Sequence, residues 1–354
     1  MKHISSLDGI RGLAVLMVVF FHYQERARTG VFSVLASTGW AGVDIFLVLS
    51  GFLITSILFE QRGSDHFFRN FYIRRALRLF PLYYFILLIV VVCTPIFHIP
   101  WHLPQVGLFF YSTNYVLSVH GDYGTLGPFD LFHTWTLSLE EQFYILWPWI
   151  VGGLGLSRRA LIRVCVAGIV IAPVLRFVLL HFHVEPWFIA GSLPTRMDSL
   201  LIGAALALIP MPSLRTARLV LLVSVLPLPL VVWKAHSLFF LTAPWQGIGF
   251  TCVGFLAAAV LVLSMYPTTL LHRFANLNFL RFYGRYSYGI YLWHYLFSGQ
   301  FFAFRAWILT LSPHRIPMSL LAFVLLLLVS TLMAMVSYRL LELPFLRLKH
   351  RFER

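Results

Sequence analysis

An arginine and a histidine stand eleven positions apart in LDGIRGLAVLMVVFFHYQ, residues 7–24, within a run that is otherwise almost wholly apolar. An α-helix turns about 100° and rises about 1.5 Å per residue, so this spacing is three turns plus about 20° and roughly 16 Å of rise. Arg11 and His22 therefore share one helix face, the arginine at the entrance and the histidine near the exit. A guanidinium binds phosphate bidentately. A neutral imidazole, with a reference pKa near about 6.5, takes a proton from an attacking hydroxyl.

Other apolar runs carry titratable groups at the level of His22. Asp44 in GWAGVDIFLVLSGFLIT lies about five residues in from the outer end of its span. Glu140 and Glu141 of HTWTLSLEEQFYILWPW open a later span from the same side, Arg176 stands near the outer end of the next, and Arg196 and Asp198 of TRMDSLLIGAALA begin the one after. An ionisable side chain in hydrocarbon is costly unless paired or wetted, so this layer is a candidate site. Ser138-Leu139-Glu140-Glu141 fits a capping box in which Glu141 reaches back to the Ser138 N–H, which leaves Glu140 the freer carboxylate. At the opposite level, Arg74, Arg75 and Arg78 of RNFYIRRALRLFPLYY place Arg74 and Arg78 on one face of a helix start. Such a cluster suits a phosphate, a lipid headgroup or a purely topogenic role. Arg26 and Arg28 read as solvated, and His181 and His183 as interfacial. His98 and His102 have helical spacing, but Pro100 between them argues against a helical metal pair. Cys93, Cys165 and Cys252 are far apart in apolar runs and form no disulfide framework or CxxC site, so no metal is expected.

The elements that must position these residues are transmembrane helices. Of 354 residues 59% are hydrophobic and 11% charged, a charge too sparse for a soluble domain. A mean hydropathy of +0.82 agrees. The net charge of +14 reflects Lys and Arg gathered in cytoplasmic loops, not nucleic-acid binding. Stretches long enough to span hydrocarbon fall near 8–27, 39–59, 79–98, 137–156, 162–182, 198–210, 218–235, 246–266, 284–306 and 318–340. The first has no small-residue cleavage site and reads as a retained helix. Counting the apolar patch at 105–119 as a further span would invert everything after it. Left as a re-entrant or surface segment, it puts 20 of the 27 Lys and Arg inside and six outside. The expected fold is all-α: a polytopic integral membrane protein of about ten transmembrane helices, both termini cytoplasmic, one domain over 1–354.

The sequence resembles the acyltransferase-3 family of membrane acyltransferases. The likeness rests on six stretches in family order: LDGIRGLAVLMVVFFH, GVDIFLVLSGFLIT, FYIRRALRLFPLYY, TWTLSLEEQFYILWP, RMDSLLIGAALA and YSYGIYLWHYL. It implies an enzyme of the bacterial inner membrane that moves an acyl group, usually acetyl, from cytoplasmic acyl-CoA to a hydroxyl of an extracytoplasmic glycan or glycoside. The family's arginine–histidine pair corresponds to Arg11 and His22, and its basic motif to Arg74, Arg75 and Arg78, which would hold the donor. Acetyl-CoA is then a co-substrate, with no bound cofactor. Larger relatives carry an extracytoplasmic SGNH-type domain; here none is expected, so the protein would act on the acceptor alone or with a separate transferase partner.

Together these readings make His22 the base or acyl carrier, oriented by Asp44 or Glu140, with Glu141 beside it. Arg176, Arg196, Asp198 and His294 of the last motif stand on the acceptor side or in support. Direct transfer and an acyl-imidazole intermediate are both open. A transporter or flippase of anionic or lipid-linked substrates is the alternative, since intramembrane charges line such paths too. The absence of an inverted repeat and the one-sided arginine cluster speak against it.

Overall fold

The computed structural model describes residues 3–24, 31–121, 126–312 and 314–352. Arg26 and Arg28 lie outside them. Helices make up nearly all the ordered structure, as a chain in lipid requires when each backbone N–H and C=O must find its partner within its own segment. The helices that matter for the site are α1 Ser5–Gln24, α2 Ala41–Glu60, α3 Phe67–Cys93, α4 Trp135–Pro148, α5 Arg158–His181, α6 Leu193–Leu208, α7 Leu214–Val225, α8 Phe250–Met265, α9 Asn278–Leu296 and α10 Arg315–Ser337. Ser157 and Ser213 cap α5 and α7, each accepting from the N–H three residues on.

Seven helical stretches among the described residues are long and apolar enough to cross a membrane: Ser5–Tyr23, Val34–Glu60, Phe67–Cys93, Arg158–His181, Leu214–Ala235, Trp245–Met265 and Pro317–Leu348. The protein is thus an all-helical, polytopic membrane protein. Three of the ten expected spans are not among the seven. Helix α4 has 14 residues before it passes into a wider turn at Trp149–Gly153, and α6 has 16. Helix α9 carries Arg281, Arg285 and five tyrosines. These helices face protein rather than lipid along much of their length: Tyr283, Tyr286, Tyr291 and His294 of α9 are buried, as are Arg196 and Asp198 of α6. The outward faces of α5, α7 and α10 instead expose Val170, Phe177, Leu222 and Leu332.

One further expectation is corrected. The chain is already helical at Trp135, so Ser138 lies inside α4, bonds back to the Thr134 carbonyl at 3.2 Å and caps nothing; Glu141 turns to Arg75 instead. The apolar patch at 105–119 is broken into Leu103–Val106, Gly107–Phe110 and Thr113–His120, none long enough to span.

Glycines set how the inner helices meet. A Cβ on Gly12 would lie 1.9 Å from the Leu280 carbonyl oxygen, and one on Gly284 would lie 1.8 Å from that of Asp8, so α1 and α9 touch backbone to backbone. Helices α2 and α6 do the same: a Cβ on Gly51 would lie 1.9 Å from the Leu200 oxygen, and one on Gly203 would lie 1.9 Å from that of Val48. Small residues permit such approach where no hydrophobic force draws helices together. One contact brings together the helices of His22 and His294, and the other those of Asp44 and Arg196.

Candidate active site

A cavity of about 630 Å³ opens among α1, α2, α3, α4 and α9 and is lined by Asp8, Arg11, Ser50, Arg74, Arg75, Arg78, Glu140, Tyr144 and Lys349. Arg11 Nη1 lies 3.6 Å from Asp8 Oδ1. Arg74 donates from Nε to the Asn70 carbonyl at 3.1 Å and from Nη2 to Gln61. Arg75 sits between two carboxylates, 4.0 Å from Glu140 and 3.7 Å from Glu141, with its guanidinium 3.6 Å over the Tyr144 ring. Arg78 is exposed and makes no hydrogen bond or ion pair among the described residues. Five cationic side chains, Arg11, Arg74, Arg75, Arg78 and Lys349, line the cavity against three carboxylates, Asp8, Glu60 and Glu140, so it is net basic, as an anionic ligand needs. All four arginines expected to hold the donor therefore line one cavity.

Glu140 also belongs to this cavity and not to the layer of His22. Its Oε1 accepts from Ser50 at 2.9 Å and its Oε2 from Tyr144 at 3.0 Å. Ser50 is six residues past Asp44 on α2, about 9 Å further along the helix.

A second cavity of about 120 Å³ is lined by His22, Trp40, Phe132, Trp135, Trp187, Arg196, Phe240, Phe250 and Tyr295. Val43, Thr136 and Tyr291 line both cavities and form the partition between them. Tyr291 closes it by donating its hydroxyl to the His133 carbonyl at 2.7 Å and by meeting the Thr136 hydroxyl.

His22 keeps partial exposure, while His294 has none. Nδ1 of His22 lies 2.9 Å from Nε2 of His294, and His294 Nδ1 lies 2.7 Å from the Tyr291 carbonyl oxygen. A carbonyl only accepts, so His294 Nδ1 carries hydrogen. Nε2 of a neutral His294 then accepts, and His22 Nδ1 donates to it. The lone pair of a neutral His22 is thereby left on Nε2, the nitrogen a general base needs free. Tyr23 holds the His294 backbone in place by donating to its carbonyl at 2.8 Å.

The expected partnership of Asp44 with His22 is not formed: among the described residues no hydrogen bond joins them. Asp44 Oδ1 accepts from Arg196 Nη2 and from Ser199 Oγ, both at 2.8 Å. Arg176 and Asp198 form a second buried pair at 2.9 Å, joined by Thr251. The layer of polar groups is thus three pairs, with histidine bound to histidine. His133, which sequence reasoning passed over, is buried with its ring centroid 5.2 Å from that of His294 and 5.3 Å from that of Tyr295. Its signal was its place about two turns before the Glu140-Glu141 pair in HTWTLSLEEQ. Among the described residues no three His, Cys, Asp or Glu side chains are placed to hold a metal ion.

Comparison with known proteins gives one family: the acyltransferase-3 model, described as an acyltransferase domain, matches residues 4–339. A Bacillus subtilis (strain 168) protein, YrhL, named for peptidoglycan O-acetylation, is 33% identical over 321 residues, or 83% of this chain and 48% of the relative. The peptidoglycan O-acetyltransferase OatA of Listeria monocytogenes is 29% identical over 83% of this chain and 49% of its own. The O-acetyltransferase OatA of Staphylococcus aureus is 27% identical over 97% of this chain and 57% of its own. The chain therefore spans about half the length of the curated relatives it matches. No solved structure matches it.

Proposed function

We propose, given that the chain belongs to the acyltransferase-3 family, that this protein is a membrane O-acetyltransferase. In this reading it takes an acetyl group from acetyl-CoA on the cytoplasmic side and places it on a hydroxyl of an extracytoplasmic glycan. The relatives' names direct the acceptor to peptidoglycan. The observation that carries the reading is the pair of cavities: a basic one at the Arg11 end of α1 and an aromatic one at the His22 end, sharing a wall of three residues.

Arg11, Arg74 and Arg78 hold the donor's phosphates, and Arg75, fixed by Glu140 and Glu141, shapes the wall beside them. The pantetheine arm follows the face of α1 from Arg11 toward His22, roughly 16 Å of rise, and brings the thioester past Val43, Thr136 and Tyr291. Nε2 of His22 takes the proton of the acceptor hydroxyl as its oxygen attacks the acyl carbon. The thiolate of CoA leaves and recovers that proton from the imidazolium. His294 fixes the tautomer and orientation of His22, the role an acid plays in other triads. Aromatic side chains exclude water that would hydrolyse the thioester. Ten spans and both termini cytoplasmic complete the proposal.

Detergent-purified protein supplied with labelled acetyl-CoA and muropeptides tests it. Label should enter the glycan, and His22→Ala should lose at least about a hundredfold in transfer, within the range general bases contribute, while still binding acetyl-CoA. Wild-type turnover in that variant would remove His22 from the mechanism. In proteoliposomes, passage of label across the bilayer without transfer would favour a flippase.

A further inference from the structure

Two buried arginines stand on neighbouring helices, α5 and α6, in the same polar layer, and their hydrogen bonding differs. Arg176, fully buried, has every nitrogen engaged: Nε donates to the Gly247 carbonyl at 3.2 Å, Nη1 to the Thr195 carbonyl, and Nη2 to Asp198 and Thr251. Arg196, 2% exposed, donates only from Nη2 to Asp44. Its Nε and Nη1 have no partner among the described residues. Arg196 lines the aromatic cavity with His22, and Arg176 does not.

Buried donors are almost always paired, and an unpaired pair on a guanidinium calls for a ligand. The surroundings restrict which. The guanidinium carbon lies 3.7 Å over the Phe250 ring, and Asp44 holds one corner, so the group is oriented without being satisfied. The cavity, about 120 Å³, is smaller than the roughly 150 Å³ that accepts benzene, so its occupant is a group of a few atoms. Beside a base, in a space that size, the atom that gains negative charge as a hydroxyl attacks a thioester is the acyl carbonyl oxygen.

We propose that Arg196 is a catalytic residue: its guanidinium binds the acyl carbonyl oxygen of the donor and stabilises the oxyanion of the tetrahedral intermediate. This rests on the acetyltransferase reading above. In the step, the acceptor oxygen bonds to the acyl carbon, its proton passes to His22 Nε2, and the carbonyl electron pair moves to the oxygen facing Arg196. The pair returns as the carbon–sulfur bond breaks, and the CoA sulfur leaves with the proton from His22. Asp44 serves here as a positioning residue that orients Arg196.

The test compares wild-type protein with Arg196→Gln and with the charge-neutral pair Arg196→Gln/Asp44→Asn, which leaves no lone buried carboxylate. Both should lose about 10²- to 10³-fold in kcat, the usual effect of removing an oxyanion donor, with the KM for acetyl-CoA little changed; the unfolding midpoint should hold in the paired variant and fall in Arg196→Gln alone, which strands the buried Asp44 carboxylate. A kcat within about tenfold of wild type in the paired variant would overturn the assignment. So would failure of both variants to insert and bind acetyl-CoA, since the arginine would then be a brace. If wild-type protein turns over no acetyl-CoA while still binding it, the acetyltransferase reading fails, and this assignment with it.

Discussion

His294 is the residue whose removal tests the geometry most directly. Its Nε2 receives the Nδ1 hydrogen of His22 across 2.9 Å, and its own Nδ1 is fixed on the Tyr291 carbonyl at 2.7 Å. Two variants separate what this arrangement supplies. His294→Gln can still accept from His22 through its amide oxygen, so the tautomer survives and only the geometry loosens. The loss should be that of one ordinary hydrogen bond, about 0.5–1.5 kcal/mol, or about two- to thirteenfold in kcat. His294→Leu offers no acceptor. His22 is then free to place its hydrogen on Nε2 and rotate, and the loss should approach the full contribution of a general base, about 10²- to 10⁴-fold. Both should bind acetyl-CoA normally, because His294 is not among the residues lining the basic cavity. Acetyl transfer by purified variants, with donor affinity measured in parallel, gives the comparison. If His294→Leu transfers acetyl within about twofold of wild type, or if Gln and Leu are equally impaired, the tautomer argument is wrong.

Three further outcomes follow from named contacts. Arg78→Ala should raise the KM for acetyl-CoA about tenfold or more, the effect of losing a charged hydrogen bond, in steady-state kinetics; an unchanged KM would make Arg78 a topology signal only. A cysteine at Gly299, where an added Cβ meets nothing within 4 Å, should be labelled by an impermeant reagent from outside, and one at Ser64, in the turn after α2, only when the inner face is opened. The reverse pattern would invert the proposed topology. Gly284→Val must displace the Asp8 carbonyl that its Cβ would approach to 1.8 Å, so the unfolding midpoint in detergent should fall by the equivalent of about 1–3 kcal/mol or more.

Fold class and family followed from the sequence because both are written in quantities that need no partner: charge density, run length and motif order. The depth of a residue along its own helix was almost as accessible, and it placed Asp44 and Arg196 correctly in the polar layer. What depth does not give is azimuth, the direction each side chain faces once helices touch. Asp44 was assigned to His22 on shared depth, yet Gly51 and Gly203 turn α2 toward α6 and deliver the carboxylate to Arg196. Glu140 was misplaced for another reason. Helix α4 begins at Trp135, so Glu140 is more than a turn inside it and drops to the level of Ser50 and Arg75. His133 precedes α4, where no periodicity marks a residue as buried.

Two of the three polar pairs thus depend on helix contacts that contain no polar side chain. Transfer chemistry needs its groups held to within about 0.5 Å, and hydrocarbon provides no water to replace a partner that strays. Backbone contact at Gly12 and Gly284 fixes the spacing of the helices that carry His22 and His294, and contact at Gly51 and Gly203 does the same for those of Asp44 and Arg196. The satisfied arginine completes the argument. Arg176 holds the Thr195 carbonyl with one nitrogen and the Asp198 carboxylate with another, which clamps the turn of α6 on either side of Arg196. A guanidinium with two unpaired donors would relax toward any nearby acceptor if its backbone could follow. With that turn fixed by Arg176, and with Phe250 and Asp44 fixing the side chain, Arg196 keeps those donors unpaired until a carbonyl oxygen arrives in the cavity.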